Sequence, residues 1–461
     1  MATDRCSEGC MAIDMVPDDA LLEIFSCLRG ISQFNLWWWI PLVHTCRRWR
    51  HVIFASPFHL RVVLVCDSRT PVRKTLEIWP PFPICVHYLP TGSKDENTVA
   101  ALEHRDRVTD VFLYLESIPE YERFATRMQE PFPALTSLVL ASNMSPELVL
   151  PETFLGGSAP SLKIVFIQKI AFPALPRLLL SAPRLVDLAL CEIPVGGNIS
   201  SEAMATCLAT LTNLECLRIE FQSTHPHPNH TSPPSFPRTV LPFLTLFCFK
   251  GISEYLEDLV SRIDAPILKI LLITFEGSIF HTPQLCQFVN RAERFKLPNR
   301  AELEFNFLSV SLKLKPSDSF ELDVRCDKLI EGGWAMEVVC QELSPLLSRV
   351  DCLDVYGGAN HAWPHWRDAM GTTGWLGLFR PFITVQTLRV SWALWAFVVY
   401  ALKELTGERT TEVLPELRTL FFSGFRPADL EPFIAARQLS GHPVALHPWE
   451  NPSHDGQDRE G

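Results

Sequence analysis

No C-x-x-C pair occurs in the 461 residues, and the closest cysteine pair, Cys6 and Cys10, stands in a polar N-terminal stretch. Thiolate zinc sites of ordinary spacing are therefore absent. G-x-S-x-G, G-x-x-x-x-G-K-[ST] and G-x-G-x-x-G are missing too, so hydrolase, nucleotide-loop and dinucleotide signatures are lacking. His361-x-x-x-His365 has the i,i+4 spacing of a metalloprotease helix, but it lacks the glutamate and contains Pro364. His225, His227 and His230 crowd one loop with no acidic or thiol ligand beside them, and a metal needs held geometry. Basic excess is also wanting. Lys and Arg number 41 against 52 Asp and Glu, a net charge of −11, which argues against nucleic acid as the main partner. The longest apolar run, Trp392 to Leu402, has 11 residues, too few to span a bilayer. The first residues carry acids and no basic-then-apolar pattern, so no secretory signal is read there.

What is present is a chain for a large core. Hydrophobic residues make up 47% and charged residues 20%, a globular balance long enough for two or more domains. The 14 cysteines are scattered through apolar segments such as LECLRI and VDCLDV, where a free thiol packs as a small hydrophobe. A reducing compartment, cytoplasm or nucleus or both, is the expectation.

The stretch from Val16 to Pro57 organises the N-terminal end. Pro17, Asp18 and Asp19 suit a helix start, where proline loses no needed N–H and acids oppose the dipole. Leu21, Leu22, Phe25 and Leu28 then fall on one face with Ile24 beside them. A second helical pattern puts Leu42, Val43, Cys46 and Trp49 together, ringed by Arg47, Arg48 and Arg50. So small a hairpin cannot bury all its apolar residues alone.

Val16-Pro17, Leu21-Leu22, Ile24-Phe25, Leu28 and Leu42-Val43-x-x-Cys46-Arg47-x-Trp49 together resemble the F-box, a module of about a tenth of this chain. The following PVRKTLEIWPPFPI, Pro71 to Ile84, resembles a linker of fungal F-box proteins. The resemblance implies docking of a Skp-type adaptor, and through it a cullin–RING ubiquitin ligase. The residues it assigns to that contact are Pro17, Leu21, Leu22, Ile24, Phe25, Leu28, Val43, Cys46 and Trp49. One departure is ISQFNLWWWI between the helices, where Trp37, Trp38 and Trp39 could reshape the docking surface. The alternative is a hairpin that packs on its own domain.

Beyond a strand at Leu60 to Cys66 and another at Ile84 to Tyr88, an L-x-x-L-x-L-like unit recurs from Val108 onward. Its central positions Leu138, Val165, Leu188, Leu217, Phe247 and Leu271 are separated by 27, 23, 29, 30 and 24 residues. Looser copies follow at Leu303/Phe305, Leu353/Val355, Leu388/Val390 and Leu420/Phe422. Helical patterns fill the gaps: one after Ser253, one from Thr282-Pro283, and one over Trp334 to Leu347. Strand plus helix per unit gives a solenoid whose strands lie parallel in one sheet. The pattern resembles a leucine-rich-repeat domain, though the Asn or Cys that usually follows the strand is missing from most units. An ordinary α/β domain with leucine-rich strands is the competing fold.

The expected fold is thus α/β: an F-box helical hairpin followed by an irregular leucine-rich-repeat-like solenoid. The expected domains are an unstructured 1–12, an F-box at 13–57, a linker at 58–107, repeats at 108–449 with a flexible insertion at 223–237, and an unstructured acidic tail at 450–461. The paired glycines 156–157, 196–197, 332–333 and 357–358 suit turns of positive φ. Trp363, Trp366 and Trp375 lie in a tryptophan-rich stretch that is either core or a recognition surface. The implied function is recruitment of a client protein to a Skp–cullin–F-box ligase, with no catalytic residue, metal or cofactor and catalysis by proximity. The alternative is a repeat scaffold acting outside any ligase. Neither nucleic acid nor membrane is an expected partner, and the client's identity is not encoded in any motif.

Overall fold

The structure is a computed structural model that describes residues 15–31, 37–67, 71–89, 96–144, 147–222, 238–276, 282–296, 298–306, 309–315, 321–327, 329–357, 364–422 and 430–449. The segments expected to be unstructured, 1–12, 223–237 and 450–461, fall outside these residues, as do His361 and Trp363. Its contacts divide the chain into two compact units, with the boundary in the sequence between Ile164 and Val165. The fold is mixed α/β with mostly parallel strands.

The first unit begins with α1 (Asp18–Ile31), α2 (Ile40–Thr45), α3 (Arg47–Ala55) and the single turn α4 (Pro57–Leu60). Then come β1 (Leu64–Asp67), α5 (Val72–Ile78), β2 (Ile84–Tyr88) and α6 (Glu96–Leu102). It continues with β3 (Val108–Leu115), α7 (Ile118–Arg127), β4 (Ser137–Ser142) and the short β5 (Leu148–Val149). Parallel strands need a crossover, and the helices between them supply it. β1 to β4 pair in chain order, all parallel, so that Cys66, Val86, Val111 and Leu138 stand level. All four are fully buried. The segment 58–107, expected as a linker, therefore contributes two strands of this sheet. α7 starts at a capping box: Ser117 Oγ accepts from the Glu120 N–H at 3.4 Å, and Glu120 Oε2 accepts from the Ser117 N–H at 3.2 Å. Gly156 and Gly157 do take positive φ, 65° and 70°, and a Cβ on Gly156 would meet Pro131 at 2.7 Å.

The second unit runs through β6 (Ile164–Gln168), β7 (Ile170–Ala171), α8 (Leu175–Leu180), β8 (Asp187–Ile193), α9 (Ser201–Leu208), β9 (Cys216–Phe221) and β10 (Thr239–Val240). β11 (Leu246–Gly251), α10 (Ser253–Arg262), β12 (Ile263–Asp264), β13 (Ile270–Glu276) and α11 (Pro283–Arg291) follow. β14 (Arg300–Phe305), β15 (Ser309–Lys315), β16 (Glu321–Asp327), α12 (Leu329–Glu342), α13 (Ser344–Leu347) and β17 (Cys352–Gly357) come next. α14 (Pro364–Phe379), β18 (Thr387–Val390), α15 (Trp392–Lys403), β19 (Thr419–Phe422), α16 (Glu431–Leu439) and β20 (Ala445–Pro448) complete it. The L-x-x-L-x-L strands lie in register: Leu188 opposite Leu217, Leu217 opposite Phe247, Phe247 opposite Leu271. Each of these four is 0% exposed.

One stretch departs from a simple parallel array. β15 is antiparallel to both β14 and β16, and the order in this region is β13-β16-β15-β14-β17. Three residues, 306–308, join β14 to β15. So short a link allows only an antiparallel return, whereas a parallel neighbour needs a long crossover. β16 then pairs parallel with β13, and β14 with β17, so the outer strands of the meander rejoin the array.

Side-chain hydrogen bonds tie successive helices together. Glu257 of α10 accepts from the Gln284 and Leu285 N–H groups at the start of α11, both at 2.8 Å, satisfying two otherwise unpaired donors. Ser201 donates to Asp258 at 2.6 Å, and Arg262 holds the same carboxylate at 3.0 Å. Several sequence expectations are decided here. Gly196 and Gly197 do not take positive φ; a Cβ on Gly197 would meet the Ala171 Cα at 2.8 Å, so close approach is its role. Gly332 and Gly333 lie inside α12 rather than in a turn. Trp375 is core, 3% exposed, with its ring 5.0 Å from Phe305. The apolar run from Trp392 forms α15, which is buried along Leu394, Trp395, Val398 and Leu402 but exposes Trp392 and Tyr400 at 39% and 67%.

Leu188 is 0% exposed in a buried row, so Leu188→Asp would place a charge among apolar side chains. The variant is expected to lose about 3 kcal/mol or more, read as a lowered denaturant midpoint. A midpoint equal to that of the unsubstituted chain would contradict the register.

Candidate functional site

The N-terminal hairpin is built around two inward rings. Phe25 of α1 meets Trp49 of α3 edge-on at 5.1 Å, and Trp39 meets Trp79 at 5.2 Å and Phe82 at 5.9 Å. The Trp39 indole N–H donates to the Val63 carbonyl at 3.2 Å. Buried Leu21, Val43, Val52 and Ile53 complete this core, with Trp79 and Phe82 supplied by the segment Pro71 to Ile84. Cys46 breaks α2 from α3: its backbone is extended and its Sγ accepts from the Trp49 N–H at 3.4 Å, acting as the helix cap. Arg48 reaches back to the start of α1, donating to Asp18 at 2.7 Å and to the Val16 carbonyl. Arg50 donates to the Val43 carbonyl at 2.9 Å.

The residues assigned to adaptor docking divide into three sets. Leu21, Phe25 and Val43 are 0% exposed, turned into the hairpin's own core. Leu22, Cys46 and Trp49 are half-buried. Pro17 is exposed, as are Ile24 at 47% and Leu28 at 39%. These last three lie seven and four residues apart, close to one line along α1. Met15 at 73% and Trp37 at 39% are exposed as well, while Trp39 is wholly inward. Reading the sequence as one apolar face failed to separate core from ridge. The missing knowledge was that the Pro71 to Ile84 segment would join the same core through Trp79 and Phe82.

The second surface is the face of the sheet opposite the leucine rows. Across β14, β17, β18, β19 and β20 one level reads Glu302, Asp354, Arg389, Phe421, His447. Asp354 is 0% exposed. Its Oδ2 accepts from Arg300 Nε and its Oδ1 from Arg389 Nη1 at 3.3 Å. Arg300 Nη2 also donates to the Tyr356 hydroxyl at 3.4 Å. Burial, then the Asp354 and Glu302 carboxylates, push that phenol up to about 12. Arg389 lies 5.4 Å above the Phe421 ring, His447 stands 5.4 Å beyond it, and Trp449 is 5.6 Å from Tyr356. Sequence reasoning missed this cluster, because its members come from five separate strands.

Elsewhere the thiols are held protonated. Burial pushes Cys66 up to about 12, and it is the main cause that lifts Cys191, Cys207 and Cys352 to about 11. That is the opposite of what a nucleophilic or metal-binding thiolate needs. Among the described residues no group of three or more His, Cys, Asp or Glu converges as metal ligands would. No helix among them is long and apolar enough to cross a membrane.

At pH 8, thiol reagents followed by peptide mapping are expected to label exposed Cys27 quickly, and buried Cys66, Cys85, Cys207 and Cys340 only on unfolding. A raised folded-state pKa means the native state keeps protons that the unfolded chain releases. Stability should therefore fall as pH rises from about 9, where unfolded thiols ionise, toward 11–12, where the buried ones do. Rapid labelling of Cys66 in the native protein would contradict this packing.

In comparison with known proteins, no protein family matches the chain and no curated protein matches it. Among solved structures it is similar to the leucine-rich repeat-containing protein LegL7 from Legionella pneumophila, at 12% identity and a TM-score of 0.27. That alignment covers 74% of this chain and 94% of the other. A likeness so slight has no bearing on function.

Proposed function

We propose that the protein is a non-enzymatic substrate-recruiting subunit of a Skp–cullin–F-box ubiquitin ligase. The N-terminal hairpin docks the Skp adaptor, and the repeat sheet holds a client protein. The observation that carries the reading is the exposed line of Pro17, Ile24 and Leu28 on a helix whose other face is fully packed. An apolar ridge on a rigid helix is what helix-in-groove docking uses, and its anchors need no refolding to engage. Leu21, Phe25 and Val43 serve this contact from beneath by fixing the ridge. Arg48 fixes the ridge's start by pinning Asp18 and Val16. The resemblance of the Pro, Leu-Leu, Ile-Phe and Cys-Arg-x-Trp spacing to the F-box supplies the identity of the partner.

A second reading is a repeat scaffold that binds protein partners outside any ligase. The inward Trp39 favours it, since Trp39 with Trp79 and Phe82 makes the hairpin part of its own unit's core.

The two readings separate in a pull-down with a purified Skp-type adaptor. Ile24→Asp with Leu28→Asp changes the ridge and leaves the core untouched, so the chain should keep its melting temperature. Adaptor binding should fall at least a hundredfold, roughly the loss of two apolar anchors. Wild-type protein that fails to bind, or a double variant that binds as before, would overturn the ligase reading in favour of the scaffold.

A further inference from the structure

We propose that the polar face around Asp354 is where the repeat sheet takes its client, and that it takes an extended acidic segment carrying an aromatic side chain. The inference rests on the client-holding role given to the sheet and names the chemistry of what is held. Asp354 is fully buried, yet it is shared by two guanidinium groups, Arg300 and Arg389, whose side chains remain 40% and 28% exposed. One carboxylate offsets one cation. Two other acids stand close by: Glu302 lies 3.7 Å from Arg300 but is taken by Lys315 at 2.6 Å, and Glu304, level with Tyr356, is taken by Lys313 at 3.0 Å. One positive charge is left over, on two planar forks held side by side by the same carboxylate. A client carboxylate bridging them completes the cluster with charge-assisted hydrogen bonds. The surplus is local: it stands on a chain of net charge −11, which repels acidic partners that lack this fit.

Aromatic surface adjoins the forks on two sides. Tyr356 and Trp449 stand together at 5.6 Å, and Phe421 lies under Arg389 with His447 beyond it. All four are at least partly exposed. Arg, Tyr and Trp clustered around a desolvated charge is the composition of binding hot spots. The ion pairs hold the two guanidinium groups before the partner arrives, so little side-chain entropy remains to be lost on docking.

The test uses the full-length chain and a fluorescent random copolymer of glutamate and tyrosine, read by anisotropy. Polyglutamate serves as the comparison. The copolymer should bind at least tenfold more tightly than polyglutamate, and more weakly as salt rises. Arg389→Gln should weaken it tenfold or more, whereas Asp354→Asn, which frees a second positive charge, should tighten it. Should Arg389→Gln fail to fold, Thr387→Glu decides. It adds a negative charge to the same face two residues away, touches neither ion pair and should also weaken binding tenfold. Ile24→Asp with Leu28→Asp should bind the copolymer as wild type does, so a failed adaptor pull-down leaves this result standing. No copolymer binding by wild type, or equal binding by Arg389→Gln or Thr387→Glu, overturns the proposal. So does a self-association on sedimentation that Arg389→Gln abolishes, which would give the face to a second copy of the chain.

Discussion

Everything in the second unit depends on level pairing between strands that cannot stand alone. A strand such as LECLRI buries one face only if its neighbours put apolar residues at the same height. Leu188, Leu217, Phe247 and Leu271 do so in an unbroken row. Each repeat thus contributes half of two interfaces, and stability passes from neighbour to neighbour. At the far end the row is finished by polar chemistry. Arg437 of α16 is 0% exposed and donates to the carbonyls of Thr410, Leu414, Pro415 and Leu417. These bonds close the irregular loop before β19 with donors that no apolar residue could supply.

The rows were legible because period-two leucine patterns fix which face is buried. The helices after Ser253 and Thr282 were legible from their caps, and Met336, Val339, Cys340, Leu343 and Leu347 are all buried as their spacing requires. The meander was not. RAELEF and SVSLKLK alternate in the same way whether their strands run parallel or antiparallel, and only the short link between them decides. The hairpin was half legible. Helical spacing grouped Leu21, Phe25 and Leu28, but the first two enter the core cluster, Phe25 against Trp49, and the third stays exposed. Asp354 gave no signal. Its partners lie 54 and 35 residues away, and a single acid between Leu353 and Val355 reads as an ordinary outward strand position.

Two surfaces of different physics follow from this construction. The α1 ridge is apolar and is held by packing beneath it, so its contribution to binding should change little with salt. The Asp354 face is charged, partly desolvated and flanked by rings, so its contribution should weaken as salt rises. The ridge belongs to the first unit and the charged face to the second, which lets substitution at one leave the other intact.

The most direct measurement is hydrogen exchange of the full-length chain with and without a saturating Skp-type adaptor. Docking through the ridge predicts exchange slowed at least tenfold in peptides covering α1, with β14, β17 and β18 unchanged. Slowed exchange in β14, β17 and β18 with α1 unaffected, or no change anywhere, would contradict it.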